Sequence, residues 1–250
     1  MELLGAKKVI IAARRQTELD RVKSECKRPN VVQTFQLDLD KPEECLKRCQ
    51  ELFAKEEVDI VINNGGISQR DSFEDLDFSV CTQMMNVNCL SHIAVCKAAL
   101  PSMIARKSGH IVNILSITGY VGTPMRTMYA ASKFGLSGFG KVLRSECRPH
   151  GIEVTQLYPS YVQTNISKNA LTKDGTSFGK TDPNIGKGLP VDKAIDMITK
   201  AMTLKIAEMT VGGTVYKVAY HLLVFLPQIF TDKIMDYFLK KQIASKAKAQ

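Results

Sequence analysis

Three side chains in one short stretch could steady an oxygen and move a proton: Ser116, Tyr129 and Lys133, all within residues 111–139. Residues 111–115 form a short β-branched run, which suits a buried strand, whereas the sequence from Thr127 onward carries small residues at helical spacing. The serine therefore leaves a strand, and the other two residues ride a helix. Positions i and i+4 share a helix face, so the Tyr129 hydroxyl and the Lys133 ammonium can point into the same cleft. A cation close to a phenol favours the phenolate and lowers its pKa, which suits Tyr129 to proton transfer near neutral pH. Taken alone, Tyr-x-x-x-Lys is more often a solvated lysine beside a packed tyrosine. The serine upstream and the small residues around Tyr129 are what single this pair out.

The stretch resembles the active site of the short-chain dehydrogenase/reductase family. The resemblance implies an α/β fold with a doubly wound parallel sheet, Rossmann-like, and hydride transfer between a nicotinamide and a carbonyl or alcohol. It casts Ser116 as the group that polarises the oxygen and Tyr129 as the proton carrier. Lys133 would hold the nicotinamide ribose and tune Tyr129. Asn63-Asn64-Gly65-Gly66 is similar to the family's Asn-Asn-Ala-Gly, with Gly65 in place of the alanine, and keeps a close backbone approach to the cofactor open. Asn88, inside a helical pattern over residues 75–100, matches the asparagine that kinks this helix and holds a water linked to the lysine. Read locally, it is a helix-interior polar residue that bonds its own backbone. Residues 159–164 match Pro-Gly-x-Val-x-Thr, in which the backbone of Val162 meets the nicotinamide amide and Thr164 meets phosphate. Ser160 stands where the family has glycine, and a positive φ there would strain it.

At the nucleotide end, residues 9–13 read as a buried strand ending at Arg14 and Arg15. In the family this is the second strand, facing the adenosine ribose, and arginines there accommodate the 2′-phosphate of NADP(H). Two surface arginines capping a strand would look the same. Asp38 and Leu39 end a second alternating run; analogy sets them beside the adenine, and local chemistry makes Asp38 a turn residue. The family's opening strand and its Thr-Gly-x-x-x-Gly-x-Gly turn have no counterpart in the sequence. Relative to the family pattern the chain reads as N-terminally truncated, with open strand edges where the central strand would lie. Met1 is then an internal methionine, an alternative start or a gene-model error.

With 250 residues, 44% hydrophobic and 24% charged, residues 1–215 can form one domain with a sizeable core, an incomplete dinucleotide-binding unit. Seven cysteines without a CxxC pair suit a reducing compartment, and four separated histidines suggest no metal. The net charge of +9 is spread along the chain, which argues against nucleic acid. Residues 167–190 are polar and glycine-rich, as a substrate lid would be. Residues 216–250 form an apolar and basic extension, interrupted by His221 and Pro227 and too short to span a bilayer. It suits an interfacial membrane contact or packing against the body or a second copy. By family analogy, Gly135, Gly138 and Gly140 suggest a homodimer face on the helix of Tyr129. The tail and the run NNGGISQR resemble the dehydrogenase/reductase member-7-like branch. That resemblance implies association with the endoplasmic reticulum membrane, with a cytoplasmic location as the alternative. The expected activity is NADP(H)-dependent interconversion of a hydrophobic carbonyl, such as a steroid, retinoid or lipid-like ketone, and its alcohol. The rival expectation is an inactive scaffold or membrane-interaction protein, because the pyrophosphate-binding glycine loop is absent.

Overall fold

The computed structural model describes residues 1–213 and, beyond them, residues 233, 236, 237, 239 and 240. The apolar and basic extension expected over 216–250 lies, apart from those five positions, outside the described residues. After a 3-10 turn at Glu2–Leu4, closed by Gly5 in the left-handed region, strands and helices alternate. In order they are β1 (Val9–Ala13), α1 (Gln16–Glu25), β2 (Val32–Gln36), α2 (Pro42–Phe53), β3 (Ile60–Asn63), α3 (Phe78–Met85) and α4 (Ser91–Arg106). There follow β4 (Gly109–Ile114), α5 (Thr127–Cys147), β5 (Ile152–Pro159), α6 (Pro183–Gly186), α7 (Val191–Thr203) and β6 (Glu208–Val211). Every strand pair is parallel, the Rossmann-like arrangement expected. Parallel strands are covered on both faces, which is why β4 and β5 are rich in Ile and Val. Ile111, Val112, Val154 and Leu157 are buried accordingly.

The sheet is in two parts, β1–β2 and β3–β4–β5–β6. Among the described residues no strand pairs with both β1 and β3. Ile60 and Ile62 on β3 remain 38% and 39% exposed, unlike the interior strands. The two parts are joined through helices: Cys45 and Cys49 of α2 pack with Ala94 and Ala98 of α4.

The helix expected over 75–100 is three pieces in one continuous run, because a π turn at Asn86–Leu90 separates α3 from α4. The run Phe78–Arg106 is long and apolar enough to cross a membrane, but over half of its most apolar stretch is buried inside the body. Strand β6 was not legible beforehand, since four alternating residues, Glu208 to Val211, are too few to set a strand apart from a loop. It forms by pairing with the edge of β5. The strain expected at Ser160 is absent: among the described residues only Lys107, Met125 and Lys205 are non-glycines with positive φ. The Ser160 N–H donates to the Val211 carbonyl at 2.9 Å, which continues the sheet past β5. Gly212 makes room for it, since a Cβ there would collide with the Ser160 side chain.

Candidate active site

Ser116 stands two residues past the end of β4 and caps a 3-10 turn at Ile117–Gly119, its Oγ accepting from the Thr118 N–H at 3.1 Å. Tyr129 and Lys133 lie on the first two turns of α5, as the spacing required. Their side chains are nearly inaccessible: Ser116, Tyr129 and Lys133 are 9%, 6% and 3% exposed. The Ser116 hydroxyl lies near enough to the Tyr129 phenol to act on its ionisation. Burial pushes the Tyr129 phenol above its ordinary range; that hydroxyl and then the charge of Arg126 pull it partly back. This corrects the expectation for Lys133. Its ammonium lies 6.0 Å from the Tyr129 ring centroid and donates to the Ile114 carbonyl at 3.1 Å. Burial lowers the Lys133 pKa to about 8, so it is mostly protonated near pH 7, while the cation that offsets burial at Tyr129 is Arg126.

Asn88 sits in the π turn, fully buried. Such turns form where one extra residue is accommodated, and they reorient a side chain out of the regular helix phase. The Asn88 carboxamide accepts from the Ile67 N–H and donates to the Ile67 carbonyl, both at 2.9 Å. It also donates to Ser132 Oγ at 3.1 Å, and Ser132 donates to the Tyr129 carbonyl at 2.8 Å. Asn88 thereby ties the loop after β3 to the helix carrying Tyr129 and Lys133. Gly66 completes the fit, since a Cβ there would lie 3.1 Å from Asn88 Oδ1 and 3.7 Å from Lys133 Nζ.

His92, one turn beyond Asn88, escaped the sequence reading because a histidine on an apolar helix face carries no motif. Its Nε2 lies 2.7 Å from the Gly65 carbonyl, and an acceptor there requires Nε2 to be the protonated nitrogen. Burial, helped by the Lys133 charge, lowers its pKa to about 4, so it holds the loop as a neutral donor. Gly65 in turn admits the Leu39 side chain, which occupies the place of a Cβ. Leu39 thus meets the glycine loop.

Asn63 is 3% exposed, and its amide donates to Asn113 Oδ1 at 2.8 Å and to Cys96 Sγ. Its side chain joins β3 to β4, which holds the strand end at the loop in place. Arg14 and Arg15 are exposed just past β1, Arg15 at the start of α1. Arg14 Nε lies 4.0 Å from Asp38, so the β1 and β2 ends do meet. Val162 pairs with Leu189 and packs on the core of β5, β6 and α7, while Thr164 is exposed with its hydroxyl toward the Val162 carbonyl. Of the three glycines suggested as a dimer face, Gly140 is buried against Gln156 and Asn113 of its own sheet, so it cannot contribute. Among the described residues no three His, Cys, Asp or Glu side chains gather as a metal site.

A parallel α/β body that buries a serine from the end of β4 beside a tyrosine and a lysine on α5 fits a dinucleotide-type oxidoreductase class. The model of the short chain dehydrogenase family matches residues 3–175, and the chain belongs to that family. A Drosophila melanogaster protein named dehydrogenase/reductase SDR family protein 7-like is 36% identical over 231 residues, 89% of this chain and 70% of its own length. Dehydrogenase/reductase SDR family member 7B of Xenopus laevis is 38% identical over 189 residues, 76% of this chain. The chain spans 58% of the length of that relative. Among solved structures, a short-chain dehydrogenase from Streptomyces avermitilis is similar with a TM-score of 0.73 at 22% identity, over 98% of this chain and 92% of that one. One from Sphingobium yanoikuyae, in complex with NADPH, has a TM-score of 0.71 at 22% identity, over 81% and 77%.

Proposed function

We propose that the chain is an oxidoreductase that interconverts a hydrophobic carbonyl, of the steroid, retinoid or lipid-ketone kind, and its alcohol with NADP(H). The observation that carries this reading is the burial together of Ser116, Tyr129 and Lys133, with the Lys133 ammonium 6.0 Å from the Tyr129 ring centroid. NADPH, when bound, would supply the hydride. In reduction the Ser116 hydroxyl donates to the substrate oxygen and holds it beside Tyr129. Tyr129 passes its phenolic proton to that oxygen as charge develops there, a contribution typically worth 10²–10⁴ in rate. Lys133, mostly protonated near pH 7, holds the ribose hydroxyls, and Arg126 supplies the charge that acts on the phenol.

The cofactor fits at two ends of the cleft. Gly66 keeps the backbone bare beside Lys133 while Gly65 is covered by Leu39, and the exposed Arg14, with Arg15 as helper, suits a 2′-phosphate next to Asp38 and Leu39. Val162 and Thr164 serve the amide and phosphate between them. The Sphingobium neighbour, solved with NADPH, supports the same choice. A second reading, a catalytically inactive scaffold, is favoured by the break between β1 and β3, where the described residues offer no glycine-rich turn for a pyrophosphate.

Calorimetric titration with NADPH and NADH, followed by turnover of an aromatic diketone such as phenanthrenequinone, separates the two. NADPH binding weakened by Arg14→Gln, with turnover abolished by Tyr129→Phe, supports the oxidoreductase; a folded chain that binds neither nucleotide leaves the scaffold. We further propose that residues 216–250 attach the protein to the cytoplasmic face of an internal membrane such as the endoplasmic reticulum. The exposed Phe134 and Val142 of α5 are proposed to meet a second copy. Flotation with anionic vesicles and sedimentation velocity test these two readings.

A further inference from the structure

One ion-pair cluster beside the site is not used by the mechanism above. Asp182 Oδ2 accepts from Arg70 Nη2 at 2.8 Å and from Arg126 Nη2 at 3.1 Å. The two arginine side chains are each 10% exposed and the aspartate 16%. Each partner comes from a different element: Arg70 from the loop after β3, Arg126 from the residue preceding α5, and Asp182 from the segment between β5 and α7. The surroundings are equally engaged. Gln69 donates to the Asp71 and Met125 carbonyls, and Arg70 N–H to the Leu171 carbonyl at 2.9 Å. Met125 adopts a φ of 63°, a conformation a methionine keeps only when its surroundings hold it. Arg126 also accepts the first helical bond of α5, from the Ala130 N–H at 2.8 Å. It thus stands one turn before Tyr129, with its Nε buried and unpaired among the described residues.

We propose that Asp182 is a positioning residue for Tyr129: by gripping Arg126 it fixes the first turn of α5 and couples that turn to residues 160–190. When the grip is made, the substrate-side segment and the proton carrier are held as one unit; when it is broken, both loosen together. The kinetic consequence rests on the oxidoreductase reading, whereas the structural coupling does not.

Asp182→Asn is the informative variant. Asp182 also caps α6, its Oδ1 accepting from the Asn184 N–H at 2.8 Å, and asparagine caps as well as aspartate. The substitution therefore keeps the cap and removes the charge. By hydrogen exchange, Asp182→Asn should quicken the amides of residues 130–133 as well as those of 184–187, by roughly tenfold, the size of a coupling within one network. Arg126→Gln should do the same from the other side, and the double variant should go no further than the larger single one. Exchange quickened only at 184–187 in Asp182→Asn, or strictly additive effects, would overturn the proposal.

A kinetic arm separates positioning from mere scaffolding. The charge acting on the Tyr129 phenol is that of Arg126, which is paired with Asp182 and through it joined to Arg70. Lys133 on α5 lies 6.0 Å from the ring centroid, and Asp71 accepts from the Lys173 N–H. Ser116 is a neutral partner, and α3 presents only Val80 and Met84. Reduction needs the protonated phenol, so its rate falls as pH rises through the Tyr129 pKa. Without the Asp182 carboxylate the Arg126 charge is less compensated and favours phenolate. The basic limb for phenanthrenequinone reduction should then move to lower pH in Asp182→Asn and to higher pH in Arg126→Gln, with kcat reduced and KM for NADPH unchanged. Limbs that stay in place overturn the proposal. Failure of the wild type to turn over counts against the oxidoreductase reading alone, and the exchange result still decides this one.

Discussion

The two ends of the cleft are built differently. At the β3–β6 end, Asn88, Ser116, Tyr129 and Lys133 are buried and joined to one another or to backbone by short bonds. At the β1–β2 end, Arg14 and Asp38 lie on the surface of a two-stranded sheet and approach only to 4.0 Å. Geometry at the first end is set by packing before any ligand arrives, which is what bond-making chemistry requires. The second end offers a charge whose position solvent and ligand can adjust, which suffices for recognition. Substitutions at the two ends should therefore fail in different ways.

The largest separation is expected at Tyr129→Phe. Turnover of phenanthrenequinone should fall about a thousandfold, in the range for loss of a general acid, while the melting temperature stays close to that of the parent. Unchanged turnover would remove the phenol from the reaction. Next, Asn88→Ala should destabilise the fold by about 2 kcal/mol in urea unfolding, because it removes a fully buried side chain's bonds to the half-buried Ile67 N–H and carbonyl. A loss under 1 kcal/mol would mean that the π turn does not depend on this side chain.

His92 gives a comparable effect through pH. Its folded pKa of about 4 lies below the ordinary 6.5, so between those values the unfolded chain binds more protons and stability rises with pH. This contribution is fully present above pH 6.5 and is lost as pH falls toward 4, by up to about 3 kcal/mol. His92→Leu should flatten the stability profile over that window, and a parallel profile would assign the acid sensitivity elsewhere. Smallest is Arg14→Gln. Stability should change by no more than about 0.5 kcal/mol, as for other exposed substitutions. NADPH affinity should fall roughly tenfold with NADH affinity unmoved, the loss of one charge-assisted contact. Equal losses for both nucleotides would make Arg14 a general anion contact.

Much of the buried end was legible because its residues carry local periodicity and a spaced motif. The strand into Ser116 and the helix of Tyr129 and Lys133 follow from β-branching and i, i+4 spacing alone. What escaped depends on partners distant in sequence. Strand β6 exists because β5 offers it an edge, and His92 matters only because Gly65 is brought to it. The charge acting on Tyr129 was assigned to Lys133 by spacing along one helix. Burial draws Lys133 toward neutrality, and Arg126, whose neighbour Met125 has an unusual backbone, supplies the field instead. The strain expected at Ser160 was misjudged for the same reason: the room it needs is provided by Gly212, fifty-two residues away in the chain.

The π turn at Asn86–Leu90 also acts as a phase shifter. An α-helix advances about 100° per residue, so one inserted position rotates everything after it by that amount relative to everything before. The apolar stripe of α3 and that of α4 can therefore face different neighbours within one continuous rod. Deleting the exposed Leu90 would restore regular winding and leave Asn88 in the chain, yet it would swing α4, with His92 and the contacts to α2, out of register with the site. Tolerance to length change in this rod should accordingly be far lower than tolerance to substitution.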